Sequence, residues 1–228
     1  MPVPARAALF DLDGTLLDTA PDMAGALASL LTELGREPLP FDAVRLQVSN
    51  GSIALARMAF PALEPGGEAF EALRLRLLDL YRVRVARETR LFAGFEPLLA
   101  RMEAAGVPWG IVTNKPGWLT DPLLDQLGLA QRAAVVVSGD TFAERKPHPR
   151  QLLHAAERIG RAPAECLYVG DALRDVQAAV SAGMRPLGVR FGYLDPATDP
   201  ERWPVEGWIN QPGELLAWLG LQPADEAA

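Results

Sequence analysis

The chain has 228 residues, 49% hydrophobic and 22% charged, enough for one large domain or a medium one with a smaller companion, and able to bury a core without disulfides or structural metal. One cysteine and two histidines exclude an internal disulfide and the common structural zinc sites. A net charge of −7 argues against a nucleic-acid partner, and the start MPVPARAALFDLDG lacks the apolar region of a signal peptide, while no stretch approaches the ~18 apolar residues of a membrane span; a cytoplasmic chain that touches no membrane is expected, its oligomeric state left open.

The first element is a short apolar run, Ala7-Ala8-Leu9-Phe10, which reads as a buried strand ending in Asp11-Leu12-Asp13-Gly14-Thr15. Residues two apart on a strand share a side, so Asp11 and Asp13 are expected as neighbours that repel each other and resist desolvation. Residues 20 to about 88 then read as helix only. They comprise TAPDMAGALASLLTELG, with Pro21 in its first turn and Gly35 at its end, then FDAVRLQV, GSIALARMAF and the long FEALRLRLLDLYRVRVA. In the last of these Phe70, Leu73, Leu77, Leu80 and Tyr81 share one face.

Beyond it, apolar strands recur at 109–114, 133–139, 166–171 and 186–192. Helical stripes lie between them, one of Leu152, Leu153, Ala156 and Ile159, another of Val176, Ala179 and Val180 before Gly183. Strands apolar on both faces alternating with such helices predict an α/β fold with a covered parallel sheet. The helical block after the first strand predicts an inserted second domain. The tail PADEAA reads as loose.

In open α/β sheets ligands bind beyond the carboxyl ends of the strands. The polar residues expected there are Asp11 and Asp13 on the first strand, Thr113 and Asn114 on the second, and Asp171 on a later one. Lys146 lies in the loop ERKPHP, which precedes that strand. Three carboxylates suit Mg²⁺, a hard cation served by a few protein oxygens. A hydroxyl, an amide and an ammonium suit the oxygens of a phosphoryl group. One aspartate can then act as nucleophile and the other as general acid and base. Taken singly each piece has a plainer reading: an Asp-Gly turn, a turn at Thr113-Asn114-Lys115-Pro116, a solvated Lys146, a helix start at Asp171. His148 and His154, six residues apart, share no helical face and are read as non-catalytic.

Together these residues resemble the haloacid dehalogenase superfamily and its Mg²⁺-dependent phosphatases, in four motifs that occur in order: DLDGT at 11–15, the strand ending in Thr113, Lys146, and GDALRD at 170–175. The resemblance implies a Rossmann-like core of residues 1–18 and 89–228 with a helical cap of residues 19–88. It implies Asp11 as nucleophile and metal ligand. Asp13 would be general acid and base with its backbone carbonyl on Mg²⁺. Thr113 and Asn114 would hold the phosphoryl group, Lys146 would neutralise charge, and Asp171 would complete the metal site with Asp175 in support. An acid at Asp13 favours phosphoryl transfer over dehalogenation.

For the substrate, a small phosphorylated metabolite, two resemblances compete. VSNGSIALARMAF is similar to the cap loop and helix of phosphoglycolate phosphatases, which places Asn50, Gly51 and Ser52 at a helix N-terminus facing substrate. An ordinary N-cap by Ser49 or Asn50 is the plainer reading there, and Arg57 reads as a surface charge. The run from FEALRLRLLDLY to VVVSGD, with RFGYLDPATDPERW, resembles N-acetylmuramic acid 6-phosphate phosphatases of peptidoglycan recycling. The expectation is hydrolysis of N-acetylmuramic acid 6-phosphate, with 2-phosphoglycolate as the alternative and a phosphomutase or a phosphoryl-sensing protein behind them.

Overall fold

The computed structural model describes residues 3–222; the tail PADEAA lies outside them. Strand β1 (Ala7–Phe10) is wholly buried, and its side chains divide between two cores. Ala8 and Phe10 join one hydrophobic cluster, Ala7 and Leu9 the other. Both faces of the sheet are covered, which is why the strand reads as a continuous apolar run.

The chain next forms the short strand β2 (Leu17–Asp18), then α1 (Ala20–Glu33), α2 (Phe41–Arg45), α3 (Gly51–Ala59) and α4 (Glu68–Arg82), and returns through β3 (Arg90–Leu91). β2 and β3 pair antiparallel, with Leu17 opposite Leu91 and Asp18 opposite Arg90. The all-helical stretch thus leaves and re-enters through one two-stranded ribbon. Leu27, Leu30 and Leu31 of α1 and Leu77 and Tyr81 of α4 are buried in one cluster, at the spacing of an apolar helical stripe. The last helix ends at Arg82, short of the stretch read as helical, and Val83 stands in solvent.

The rest alternates: α5 (Phe95–Ala104), β4 (Trp109–Val112), α6 (Gly117–Gln126), β5 (Val135–Val137), α7 (Arg150–Arg158), β6 (Cys166–Gly170), α8 (Leu173–Ala182), β7 (Arg185–Val189), β8 (Gly207–Ile209) and α9 (Leu215–Trp218). Six strands make one parallel sheet in the order β5-β4-β1-β6-β7-β8. This is the expected Rossmann-like α/β core. Gly183, at φ 71°, ends α8 as read from the sequence. Among the described residues no helix is long and apolar enough to cross a membrane.

The strand order reverses at β1. From there the chain builds β4 and β5 on one side and β6, β7 and β8 on the other, leaving a crevice at the carboxyl ends of β4, β1 and β6. Asp11, Thr113 and Asp171 are the first residues past those three strands.

Candidate active site

Asp11 keeps one ladder bond, its N–H donating to the Val169 carbonyl at 2.9 Å, after which the chain turns sharply through Gly14. That glycine has φ 81°, and a Cβ on it would overlap Asp171 Oδ2, so only glycine allows this turn against the neighbouring strand end.

The Asp11 carboxylate meets Lys146. The buried ammonium donates to Asp11 Oδ1 at 2.7 Å, Tyr168 Oη at 2.8 Å and the Val112 carbonyl at 3.1 Å. Those bonds use its three hydrogens. Asp175 Oδ1 lies 2.8 Å from the same nitrogen as an ion pair without a hydrogen bond of its own. Burial alone would lower the Lys146 pKa; the Asp11 and Asp175 carboxylates more than reverse that and hold it above the ordinary lysine range.

Asp11 and Asp13 do not act as the adjoining pair expected from strand alternation. The strand stops at Phe10, Leu12 lies in the turn, and each acid takes its own ammonium. Asp13 Oδ1 accepts from Lys115 Nζ at 2.9 Å and from Thr19 Oγ1 at 2.6 Å. Lys115 also donates to Tyr81 Oη of α4 at 2.8 Å, which ties the helical stretch to the sheet's crevice. Burial pushes the Tyr81 phenol up to about 12, Lys115 opposing and Asp13 and Asp22 adding to the rise.

The carboxylates that gather are therefore Asp11, Asp171 and Asp175, whose ligand oxygens all lie within 4.8 Å of one another. The Asp13 carboxylate is not among them, which corrects the reading of two paired acids plus a third. The Asp13 carbonyl does face this place: Ser49 Oγ lies 3.2 Å from it and 2.8 Å from Asp171 Oδ2. Two of these three buried acids share the Lys146 ammonium, and together the three carry excess negative charge. Asp11 is pushed up to about 6 by burial, with Lys146 opposing and Asp175 and Asp13 adding to the rise. Asp171 is pushed up to about 7 by burial and by the Asp11 and Asp175 charges, while the Tyr193 N–H and Ser49 hydroxyl pull the other way. A donor set of buried, mutually repelling carboxylate oxygens with a carbonyl beside it fits a hard divalent cation.

Thr113 is buried, and its Oγ1 accepts the Lys115 N–H at 3.1 Å, which leaves the hydroxyl proton free to donate. Asn114 clasps the Lys146 peptide instead of pointing only at ligand. Its Nδ2 donates to the Lys146 carbonyl at 3.0 Å and its Oδ1 accepts the Lys146 N–H at 3.1 Å. One amide hydrogen is left over for a phosphoryl oxygen.

Asn50 and Gly51 line a cavity of about 710 Å³ together with Asp13, Asn114 and Lys115. Neither Ser49 nor Asn50 caps α3 with its side chain. Arg174 grips this turn, donating to the Ser49 carbonyl at 2.7 Å and to Asn50 Oδ1. Arg57 is exposed and outside that cavity, and His148 and His154 border a separate depression.

Sequence reasoning missed Lys115, Ser49, Thr19, Tyr81 and Arg174. Lys115 and Arg174 had a signal, each adjoining a residue already singled out. Tyr81 looked like one more member of an apolar stripe.

A family model described as haloacid dehalogenase-like hydrolase matches residues 5–183. A phosphoglycolate phosphatase of Xanthomonas campestris pv. campestris is 47% identical over 93% of this chain and 97% of its own. An N-acetylmuramic acid 6-phosphate phosphatase of Pseudomonas putida is 40% identical over 92% of this chain and 94% of its own. Among solved structures, that of a predicted phosphoglycolate phosphatase from Haemophilus somnus superimposes with a TM-score of 0.81 at 25% identity, covering 95% of this chain and 99% of the other.

Proposed function

The chain belongs to the haloacid dehalogenase-like hydrolases and is a phosphoric monoester hydrolase, and from that premise we propose that it is Mg²⁺-dependent and works through an aspartyl-phosphate on Asp11. The observation that carries this reading is the buried Asp11–Lys146 contact of 2.7 Å beside Asp171 and Asp175 at the sheet's switch point. In the first step an Asp11 oxygen attacks phosphorus, the bond from phosphorus to the leaving oxygen breaks, and Asp13 gives that oxygen a proton. In the second, Asp13 takes a proton from water, whose oxygen attacks phosphorus and releases orthophosphate and the Asp11 carboxylate. The Thr113 hydroxyl and Lys146 ammonium meet the charge on the phosphoryl oxygens, and Lys115 and Thr19 hold Asp13 in one orientation. Asp11, Asp171 and the Asp13 carbonyl would hold Mg²⁺, with Asp175 in support; when bound, the ion neutralises phosphoryl charge.

Residues 19–88 serve as a cap over a catalytic core of residues 1–18 and 89–228. The β2–β3 ribbon at both crossings supports this division, as does the Tyr81–Lys115 bond between the parts. The substrate is a small phosphorylated metabolite of the cytoplasm, N-acetylmuramic acid 6-phosphate in this reading. The relatives support 2-phosphoglycolate equally.

Phosphate release with Mg²⁺ from the two compounds, side by side, decides between them. A preference of ~100-fold for the sugar phosphate, about 2.7 kcal/mol in the transition state, assigns peptidoglycan recycling. The reverse preference assigns phosphoglycolate clearance, and release from neither overturns the proposal.

A further inference from the structure

The cavity beside Asp13 is larger than the chemistry at phosphorus requires. Its volume of about 710 Å³ lies within the roughly 300–1,000 Å³ of sites that enclose drug-sized ligands, and a two-carbon phosphate would leave most of it to water. Its floor is polar, with Asp13, Asn114 and Lys115, but its walls carry three large apolar side chains left in solvent. Trp118 of α6 is 44% exposed, and Ile53 of α3 and Leu75 of α4 are each 53% exposed. These come from three different helices, yet all face one cavity continuous with the catalytic floor.

The cations of the same wall are committed, with one exception. Lys115 pairs with Asp13, Arg74 with Glu71, and Arg174 grips Ser49 and Asn50. Arg145, exposed and next in the chain to Lys146, makes no side-chain hydrogen bond or ion pair among the described residues.

We propose that the outer part of this cavity is a second subsite, in which Trp118 from the core and Ile53 and Leu75 from the helical stretch embrace the apolar face of a ring-sized leaving group and Arg145 receives an anionic group on that ring. The inference rests on the phosphatase reading and deepens it: the preferred substrate is the phosphomonoester of a ring that carries a carboxylate, not a two-carbon acid. An aromatic face presents a broad, rigid apolar surface to the C–H side of a sugar at low entropic cost, and a guanidinium fits a carboxylate with two parallel hydrogen bonds.

The test compares kcat/KM of wild type, Trp118→Ala and Arg145→Gln with three compounds: N-acetylmuramic acid 6-phosphate, N-acetylglucosamine 6-phosphate, which lacks the lactyl carboxylate, and 2-phosphoglycolate. Both substitutions are at exposed positions, and folding is checked by circular dichroism and melting. Trp118→Ala is expected to lower the ratio of the lactyl sugar phosphate to 2-phosphoglycolate at least about tenfold. Arg145→Gln is expected to erase the preference for the lactyl sugar over the sugar without it. Ratios that stay at wild-type values in folded variants overturn the subsite and leave the phosphatase reading standing, as does a wild type that prefers 2-phosphoglycolate. Phosphate from none of the three overturns that reading, and the subsite with it.

Discussion

Asp13 and Asp11 lie two residues apart and face different ammonium groups, Lys115 and Lys146, a separation that the two different roles proposed for them require. If Asp13 protonates the leaving oxygen, its loss should matter most when that oxygen is a poor leaving group. Asp13→Asn is expected to slow release from a sugar phosphate by about 10²–10⁴-fold, and release from p-nitrophenyl phosphate, whose leaving group needs no proton, by much less. Equal losses on both substrates would count against Asp13 as the acid. Gly14→Ala would put a methyl group into Asp171 Oδ2 from a left-handed backbone. It is expected to cost about 1–3 kcal/mol of stability in urea unfolding and most of the activity; an active variant of wild-type stability would contradict the packing described.

The raised carboxyls of Asp11 and Asp171 carry a pH dependence. Their folded values, about 6 and about 7, exceed the unfolded value of 3.8, so between these limits the folded chain binds more protons than the unfolded one. Their contribution to stability therefore falls as pH rises from about 4 through those values. A divalent cation needs both groups ionised. The rise in Tm on adding Mg²⁺ is expected to be small near pH 5 and larger near pH 8, and a rise independent of pH would contradict this account. The residues at the strand ends were legible because apolar runs stop there. Lys115 and Asp13 were not legible as a pair, since 102 positions separate them and only the strand order β4-β1 brings them together.

Among the elements, the β2–β3 ribbon and the first turn of α1 set how the helical stretch joins the sheet. Asp22 of α1, with no exposure, accepts from the N–H groups of Glu88 and Thr89 at 2.9 Å each and from the Thr89 hydroxyl at 2.8 Å, with Arg84 at 3.4 Å. This one carboxylate fastens the outgoing chain to the returning chain. Asp22→Ala strands the donors of Glu88 and Thr89 while Arg84 keeps its pair with Glu88 at 2.8 Å, and is expected to cost about 2–4 kcal/mol in urea unfolding. A loss below about 1 kcal/mol would show that the two crossings hold without it. Helices α4, α7 and α8 were legible from their apolar stripes, whereas a two-residue strand has no period to read, and neither does β8, with three residues and one of them buried.

Across the whole molecule, a covered parallel sheet and a helical insertion followed from apolar runs that alternate with stripes, because strands buried on both faces cannot alternate in polarity. The residues that meet at the crevice were legible as a set. Its geometry was not: the gathering of Asp11, Asp171 and Asp175 depends on β1 lying beside β6, and the contact of Ser49 with Asp171 across 122 positions on how the helical stretch lies over the sheet. The central claim is that Asp11 is the nucleophile of a metal-assisted phosphatase. It is tested most directly by phosphate release from N-acetylmuramic acid 6-phosphate and 2-phosphoglycolate by wild type and Asp11→Asn, each with Mg²⁺ and with chelator. The account predicts release by wild type that the chelator abolishes, and a folded Asp11→Asn slower by at least about a thousandfold. Turnover in that variant close to wild type, with contaminating phosphatase excluded, would contradict it.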